Sequence, residues 1–291
     1  MELLDGKKTS LDIQNELSEK VKSLVANGTN PPHLVAVLVG DDGASRTYVN
    51  AKVKACERIG FKSTLHHLSS DTSEIELLKV IKSLNEDHSV DGFIVQLPLP
   101  NHIEDHKITL AISPNKDVDG FHPENVGKMA LGLPTFLPAT PNGVMELLKR
   151  YEIPTEGKNT VVIGRSSIVG TPMSILMSRK SNPGNSTVTL AHSRTKNLEQ
   201  ICKQADILIV AIGIPEFVTS DMVKPNAVVI DVGIHRIEDT SKKNGFRLIG
   251  DVNFSEVSKK CSYITPVPGG VGPMTIASLL MNTYIACNER N

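Results

Sequence analysis

The sequence has no tryptophan, and aromatic residues fill only 4% of its 291 positions. A protein that reads bases by stacking needs aromatic faces, so this scarcity argues against nucleic-acid binding. An excess of one charge is also missing, since 31 Lys and Arg stand against 32 Asp and Glu, for a formal net charge of −1. No global basic field exists to draw nucleic acid or an anionic membrane. Cysteine is sparse: Cys56, Cys202, Cys261 and Cys287 lie far apart without a C-x-x-C. That spacing suits neither a disulfide framework nor a zinc site, and reduced thiols are expected. No metal site is expected from histidine either. His102-Ile-Glu-Asp-His106 is not H-E-x-x-H and reads as a surface helix, while His66 and His67 point to opposite faces of a strand. No stretch approaches the ~20 apolar residues of a membrane span. The opening Met1-Glu-Leu-Leu-Asp-Gly6 lacks the basic and long apolar regions of a secretory signal, so a cytoplasmic location is expected.

What is present is an ordinary globular balance, 40% hydrophobic and 22% charged, over a length that suits two domains. Apolar β-rich runs alternate with helical patterns, which predicts parallel α/β layers. Strands are predicted over 34–39, 63–68 and 92–97, with helices over 45–59 and 74–84 between them. Residues 112–141 carry little periodicity and read as a long functional loop. A helix is predicted over 140–151, with Thr140 as N-cap and Pro141 at the first helical position. Strands follow over 160–163, 187–190, 207–211 and 228–231, and a last helix over 274–288. The chain therefore reads as two α/β lobes hinged near 140–151.

The second lobe has the form of a dinucleotide site. The strand Thr160-Val-Val-Ile-Gly164 runs into Arg165-Ser166-Ser-Ile-Val-Gly170 and then an apolar helix. A strand, a glycine turn and a helix N-terminus together offer backbone N–H groups to a pyrophosphate. The spacing G-x-S-x-x-V-G departs from G-x-G-x-x-G, and a plain packing turn is the alternative. The next strand ends Ala191-His192-Ser193-Arg194-Thr195, without the carboxylate that would bind a ribose 2′-hydroxyl. Arg194 and Arg165 suit a 2′-phosphate, which favours NADP over NAD. Gly213, Gly233 and Ile234 sit at the ends of the following strands. No serine hydrolase elbow is present, because Gly164-Arg-Ser-Ser-Ile168 lacks the closing glycine.

In the first lobe, Ser45-Arg-Thr-Tyr48-Val-Asn-Ala-Lys52-Val-Lys-Ala-Cys-Glu-Arg-Ile59 places Lys52 in an unexpected position. At about 100° per residue, Lys52 falls in the middle of an arc that holds Val49, Ala51, Val53, Ala55, Cys56 and Ile59. Tyr48 is one turn earlier on the same side. A lysine central on an apolar face is either snorkelling to the rim or functional. Desolvation would lower its pKa and free the neutral amine as a base. Gln96 interrupts an apolar strand near its carboxyl end, where α/β ligands gather, with an edge amide as the alternative. Asp117 and Asp119, in Lys116-Asp-Val-Asp-Gly120, have Asx-turn roles as their alternative.

Five blocks together resemble the bifunctional methylenetetrahydrofolate dehydrogenase/cyclohydrolase family. They are Tyr48-Val-Asn-Ala-Lys52, Gly92-Phe-Ile-Val-Gln-Leu-Pro-Leu-Pro100, Lys116-Asp-Val-Asp-Gly120, Gly164-Arg-Ser-Ser-Ile-Val-Gly170 and Ile264-Thr-Pro-Val-Pro-Gly-Gly-Val-Gly-Pro-Met-Thr275. The resemblance runs from about residue 1 to 288. It implies a folate-binding catalytic domain over 1–139, completed by the C-terminal helix 274–291. It also implies a Rossmann-like NADP-binding domain over 140–273, a cleft between the two, and a homodimer. Tyr48, Lys52 and Gln96 carry over as catalytic residues. Tyr48, Gln96, Asp119, Pro268, Gly269 and Gly270 carry over for the tetrahydrofolate substrate, and Gly164, Arg165, Ser166, Ser193 and Ile234 for NADP. The stretch Arg179-Lys-Ser-Asn-Pro-Gly-Asn185 departs from the pattern as a longer turn before the second strand of the cofactor lobe.

Three other readings compete. Tyr48-x-x-x-Lys52 also spells the short-chain dehydrogenase pair, but there it follows the glycine turn, whereas here it precedes Gly164. A non-enzymatic NADP or folate module, and a dehydrogenase without the hydrolytic step, are both opposed by the presence of Lys52 and Gln96.

Overall fold

The structure is a computed structural model and describes residues 1–241 and 245–290. In chain order the first elements are β1 (Glu2–Leu3), α1 (Gly6–Ala26), β2 (His33–Val39), α2 (Gly43–Ile59) and β3 (Lys62–Leu68). They are followed by α3 (Glu74–Glu86), β4 (Gly92–Val95), α4 (Asp105–Ala111), α5 (Pro123–Ala130) and α6 (Ala139–Arg150). The second half adds β5 (Asn159–Ile163), α7 (Gly170–Ser178), β6 (Thr187–Ala191), α8 (Leu198–Cys202), β7 (Ile207–Val210) and β8 (Val228–Asp231). It ends with β9 (His235–Glu238), β10 (Phe246–Ile249), α9 (Phe254–Val257), β11 (Tyr263–Ile264) and α10 (Val271–Arg290). Backbone contacts divide the chain into two units. One combines Leu11–Ala139 with Ile276–Asn291, and the other Met1–Ser10 with Thr140–Thr275. Among the described residues, no helix is long and apolar enough to cross a membrane.

The unit of Leu11–Ala139 and Ile276–Asn291 is built on a parallel sheet in the order β3-β2-β4. All seven residues of central β2 are buried. A strand covered on both faces requires the continuous apolar run that follows His33 rather than alternation. Val35, Val37, Phe93, Leu77, Ile81 and Ile108 form its core with neighbouring side chains. Each such fully buried side chain contributes about 1.5–3 kcal/mol. Helix α2 begins at Asp42, whose side chain accepts from Ser45 N, and ends at Gly60 in the left-handed conformation. Helix α3 begins with a reciprocal capping box between Ser73 and Glu76. Both helices therefore satisfy N-terminal donors locally before any packing.

The other unit holds a six-stranded sheet in the order β1-β11-β8-β7-β5-β6, with every neighbour pair parallel. Strand β5 lies between β6 and β7, so successive crossovers leave it in opposite directions. The carboxyl ends align there: Ile163 is paired with Ala191 and with Val210, and Val210 with Asp231. This is the switch point at which open α/β sheets bind ligands. Val161, Leu208, Val210 and Val229 belong to the core beneath it.

Several expectations are corrected. Residues 112–141 are not one structureless loop, because α5 forms inside them on Pro123 as the first helical residue. Thr140 is not an N-cap, since α6 already includes Ala139, and its hydroxyl instead meets Thr275 Oγ1 at 3.0 Å. Strand β4 stops at Val95, which leaves Gln96 just beyond it. His102 precedes helix α4 and meets the Thr72 carbonyl at 2.9 Å, so the two histidines of 102–106 do not share a helical face. The longer turn at 179–185 is tied down, with Gly184 N donating to Thr155 Oγ1 at 2.8 Å and Ser181 Oγ to Pro183 O at 2.6 Å. Helix α1, both short strands β1 and β11, and the β9–β10 hairpin are absent from the sequence reading.

Candidate active site

Lys52 is 4% exposed, in the midst of the buried face of α2 with Val49, Ala55, Cys56 and Ile59. The helical-wheel reading therefore holds, and snorkelling is excluded. Lys52 Nζ donates to Gln96 Oε1 at 3.1 Å. The Gln96 amide is itself oriented, because its Nε2 donates to Leu97 O at 2.7 Å. With the nitrogen committed to a carbonyl, the oxygen must face the lysine. Backbone position follows from the sheet, since Gln96 N donates to Val37 O at 2.9 Å. Lys52 Nζ also lies 5.3 Å from the centroid of the Tyr48 ring.

Burial pushes the Lys52 amine below its ordinary value of 10.5, opposed by the Asp119 carboxylate and more weakly by Cys56. Burial likewise pushes the Asp119 carboxyl above 3.8, with Lys52 opposing and Asp117 adding to the rise. Desolvation drives both groups toward neutrality, while each charge favours the other. The Asp119 carboxylate accepts no hydrogen bond among the described residues. Asp117 has a different role. It is 2% exposed, and its Oδ2 accepts from His122 N at 2.7 Å and Asn125 Nδ2 at 2.9 Å, which anchors the loop behind Asp119. The Cys56 thiol, one turn beyond Lys52, is pushed up to about 12 by burial and stays protonated. Lys52, Gln96, Tyr48 and Asp119 thus form one cluster in a single unit.

Gly164, Arg165, Ser166, Ser193 and Ile234 lie in the other unit, as do Pro268, Gly269 and Gly270. Gly164 has φ 116°, and a Cβ there would fall 2.1 Å from Ala211 O. A Cβ on Gly170 would fall 2.0 Å from Gly164 O, so the turn closes tightly onto the start of α7. One detail differs from the expected helix-terminus site. Ser166 Oγ accepts from Val169 N at 3.2 Å and Gly170 N at 3.3 Å, which occupies those donors. The backbone N–H groups of Arg165, Ser166, Ser167 and Ile168, all exposed residues, have no acceptor among the described residues. A pyrophosphate fits that run of uncommitted donors. Because Ile163 pairs with Ala191, Arg165 and the exposed Ser193 and Arg194 leave adjacent strands side by side. Two guanidinium groups and a hydroxyl without a carboxylate suit a 2′-phosphate. Ile234 is 56% exposed in the turn after β8. In the 268–270 loop, Gly269 O accepts from Lys7 N at 2.8 Å, and Gly270 is buried.

Two groups of residues escape sequence reasoning. Asn282, on α10, donates to Val118 O at 2.8 Å and Leu137 O at 2.9 Å. Asp231 and Asp251 are buried at the carboxyl edge of the large sheet. An amide or carboxylate inside an apolar run was the available signal in each case.

Residues 4–119 match the family described as the tetrahydrofolate dehydrogenase/cyclohydrolase catalytic domain, and residues 138–291 match its NAD(P)-binding domain. The bifunctional protein FolD of Cytophaga hutchinsonii is 66% identical over 286 residues, covering 98% of this chain and 99% of that one. The crystal structure of the bifunctional FolD enzyme from Campylobacter jejuni superposes with a TM-score of 0.93 at 52% identity, covering 100% of both chains. That of the Trypanosoma brucei enzyme, complexed with NADP cofactor and inhibitor, has a TM-score of 0.92 at 37% identity, covering 98% of this chain and 96% of that one. The chain belongs to the tetrahydrofolate dehydrogenase/cyclohydrolase family.

Proposed function

We propose that the chain oxidises 5,10-methylenetetrahydrofolate to 5,10-methenyltetrahydrofolate with NADP, and then hydrolyses that product to 10-formyltetrahydrofolate. The observation that carries this reading is Lys52, an amine buried on an apolar helix face and held by the oriented amide of Gln96. On this reading residues 1–139 with the C-terminal helix 274–291 are the folate-binding catalytic part and 140–273 the cofactor-binding part, although backbone contacts group Met1–Ser10 with Thr140–Thr275.

In the substrate one carbon bridges two nitrogens, whose lone pairs expel hydride. NADP, when bound, supplies the hydride acceptor. The chain's task in this step is alignment. The N–H groups of Arg165–Ile168 hold the pyrophosphate across the tight turn at Gly164. Arg165, Ser193 and Arg194 hold the 2′-phosphate, and Ile234 offers apolar surface. Asp119 accepts paired N–H donors from the pterin edge, a planar bidentate match that its unoccupied oxygens permit. Tyr48 stacks on the aminobenzoyl ring, and the resemblance assigns Pro268, Gly269 and Gly270 to substrate binding as well.

Hydrolysis needs a base to take a proton from the water that attacks the methenyl cation. Neutral Lys52 has two N–H bonds and one lone pair. Gln96 Oε1 accepts one N–H and so turns the lone pair away from itself, toward the water. The nearby cation disfavours protonation of Lys52 and adds to the effect of burial. The family resemblance further implies a homodimer, and the four buried thiols suit a reducing cytoplasm.

A single spectrophotometric assay tests the reading. Methylenetetrahydrofolate is incubated with NADP and, in parallel, with NAD, and the reduced nucleotide and the methenyl chromophore are followed together. Reduction of NADP with methenyl decay faster than spontaneous hydrolysis is the expected result. A persistent methenyl signal would leave a dehydrogenase only and remove the base role of Lys52. No reduction with either nucleotide, from folded protein, would indicate a binding module.

A further inference from the structure

The carboxyl edge of the six-stranded sheet carries a buried polar network that the assignments above leave unused. Asp231, the last residue of β8, is 3% exposed, and Asp251 is fully buried. Asp251 Oδ2 accepts from the backbone N–H groups of Ile212 at 2.7 Å and Gly213 at 3.0 Å. Its Oδ1 accepts from His235 Nε2 at 2.7 Å. Asp231 Oδ1 accepts from Gly233 N at 3.0 Å and Asp251 N at 2.9 Å, and its Oδ2 accepts from Val252 N at 2.9 Å. There is no slack beside them: a Cβ on Gly250 would fall 1.8 Å from Asp231 Oδ2. Two carboxylates thus tie together the turn after β7, the turn after β8 and the segment that follows β10.

Keeping two carboxyl groups in this space costs free energy. Burial, with Asp251 adding to it, pushes the Asp231 carboxyl up to about 7. Apolar side chains would fill the volume without that cost. What the carboxylates add is direction, since they fix five backbone N–H groups and one imidazole. The two turns they fix carry exposed apolar residues, Ile214 at 49% and Ile234 at 56%.

Their place relative to the switch point indicates what is being positioned. The glycine turn leaves β5, and the arginine-bearing turn leaves β6 on one side of it. Strands β7 and β8 lie on the other side. A dinucleotide spanning the switch point has its adenosine half over β6 and its nicotinamide half over β7 and β8. We propose that Asp231, Asp251 and His235 are positioning residues for the nicotinamide half of NADP, holding the 212–214 and 233–235 turns in the geometry that hydride transfer needs. The proposal rests on the dehydrogenase reading above. Hydride transfer tolerates little misplacement, whereas hydrolysis of the methenyl compound does not use the nucleotide.

The test uses the full chain with His235→Ala, His235→Gln and Asp251→Ala. Three quantities are measured: NADP affinity by calorimetric titration, NADP KM and kcat of the dehydrogenase, and the rate of methenyltetrahydrofolate hydrolysis without nucleotide. Both alanine variants are expected to weaken NADP binding and lower dehydrogenase kcat/KM for NADP by roughly tenfold to a hundredfold. Hydrolysis should stay within about twofold of wild type, because the base is in the other unit. His235→Gln keeps an N–H donor for Asp251 and should recover most of the loss. Unchanged NADP affinity, KM and kcat would overturn the proposal, and so would an equal loss of both activities, which marks support of the fold alone. Should Asp251→Ala fail to fold, the partly exposed His235 decides the matter by itself. Wild-type protein that does not bind NADP overturns the dehydrogenase reading along with this one, whereas wild-type binding with unaffected variants overturns only the positioning role.

Discussion

The side-chain amide of Asn282 donates to the carbonyl oxygen of Val118 at 2.8 Å, from 164 positions further along the chain. The same nitrogen donates to Leu137 O at 2.9 Å, and Ala139 N donates to Asp119 O at 3.1 Å. The C-terminal helix therefore clamps both sides of the loop that presents Asp119. Asn282→Ala leaves the buried Val118 carbonyl short of a donor, at a cost of about 1–3 kcal/mol, and the part-buried Leu137 carbonyl short of one as well. The expected outcome is a melting temperature several degrees lower, with KM for the folate raised more than KM for NADP. Thermal melts and steady-state kinetics on one preparation would check both.

Replacing Lys52 by methionine keeps an unbranched side chain, one atom shorter, and removes the base. Hydrolysis of the methenyl compound should fall by about 10²–10⁴-fold, the usual contribution of a positioned base. The fold should survive. A lysine whose amine is pushed down by burial opposes folding while it is protonated, so the variant should melt no lower than wild type at neutral pH. A hydrolysis rate like that of wild type in a folded variant would remove Lys52 from the role.

The hydrolytic rate should climb with pH as Lys52 gives up its proton, with an inflection below 10.5. Gln96→Glu places a carboxylate on the same hydrogen bond and favours the charged amine. That variant should move the inflection upward, and a pH profile of kcat would show it. An inflection that does not move between the two proteins would mean that some other group titrates.

Arg165 and Arg194 leave paired strands next to each other, and the cofactor reading assigns both to the 2′-phosphate. Arg194→Ala should raise KM for NADP about tenfold, since a charge-assisted bond contributes about 1.5–3 kcal/mol. KM for NAD, which lacks the phosphate, should hardly change. Comparing the two nucleotides on the variant decides it.

Asp231 makes stability depend on pH in a defined direction. Its carboxyl is raised from 3.8 to about 7 in the fold. Below the unfolded value both states are protonated, and between the two values only the folded state keeps the proton. Stability from this group is thus present at low pH and lost as pH rises through about 7. Urea midpoints at about pH 5 and about pH 8 should show the decline in wild type, and a smaller one in Asp231→Asn.

Local pattern alone reveals α2 and the place of Lys52 on it, because a helix repeats every ~3.6 residues and the apolar arc around Lys52 is unbroken. The core strands are legible for a similar reason, as β2 is a continuous apolar run. Helix α1 is harder to see, since its buried stripe mixes Ile13, Leu17 and Val21 with Thr9, Ser10 and Gln14, which blurs the period. Helix α5 has only 8 residues, set among prolines and glycines that signal a loop. Ser166 shows a further limit, because sequence pattern cannot tell whether a hydroxyl will face a ligand or fold back onto the helix it precedes.

By itself the sequence determined the α/β class, the place of Lys52 on the apolar face of its helix, the glycine turn after β5 and the blocks that resemble the folate family. Each depends on periodicity or spacing within a few residues, which chain geometry converts directly into a face or a turn. Only the tertiary structure decided that Gln96 would orient its oxygen toward Lys52, that Asp251 would join His235 to Ile212, and that Asn282 would hold Val118. Those pairings follow from which strands lie side by side and where the last helix returns, and no local period carries that order.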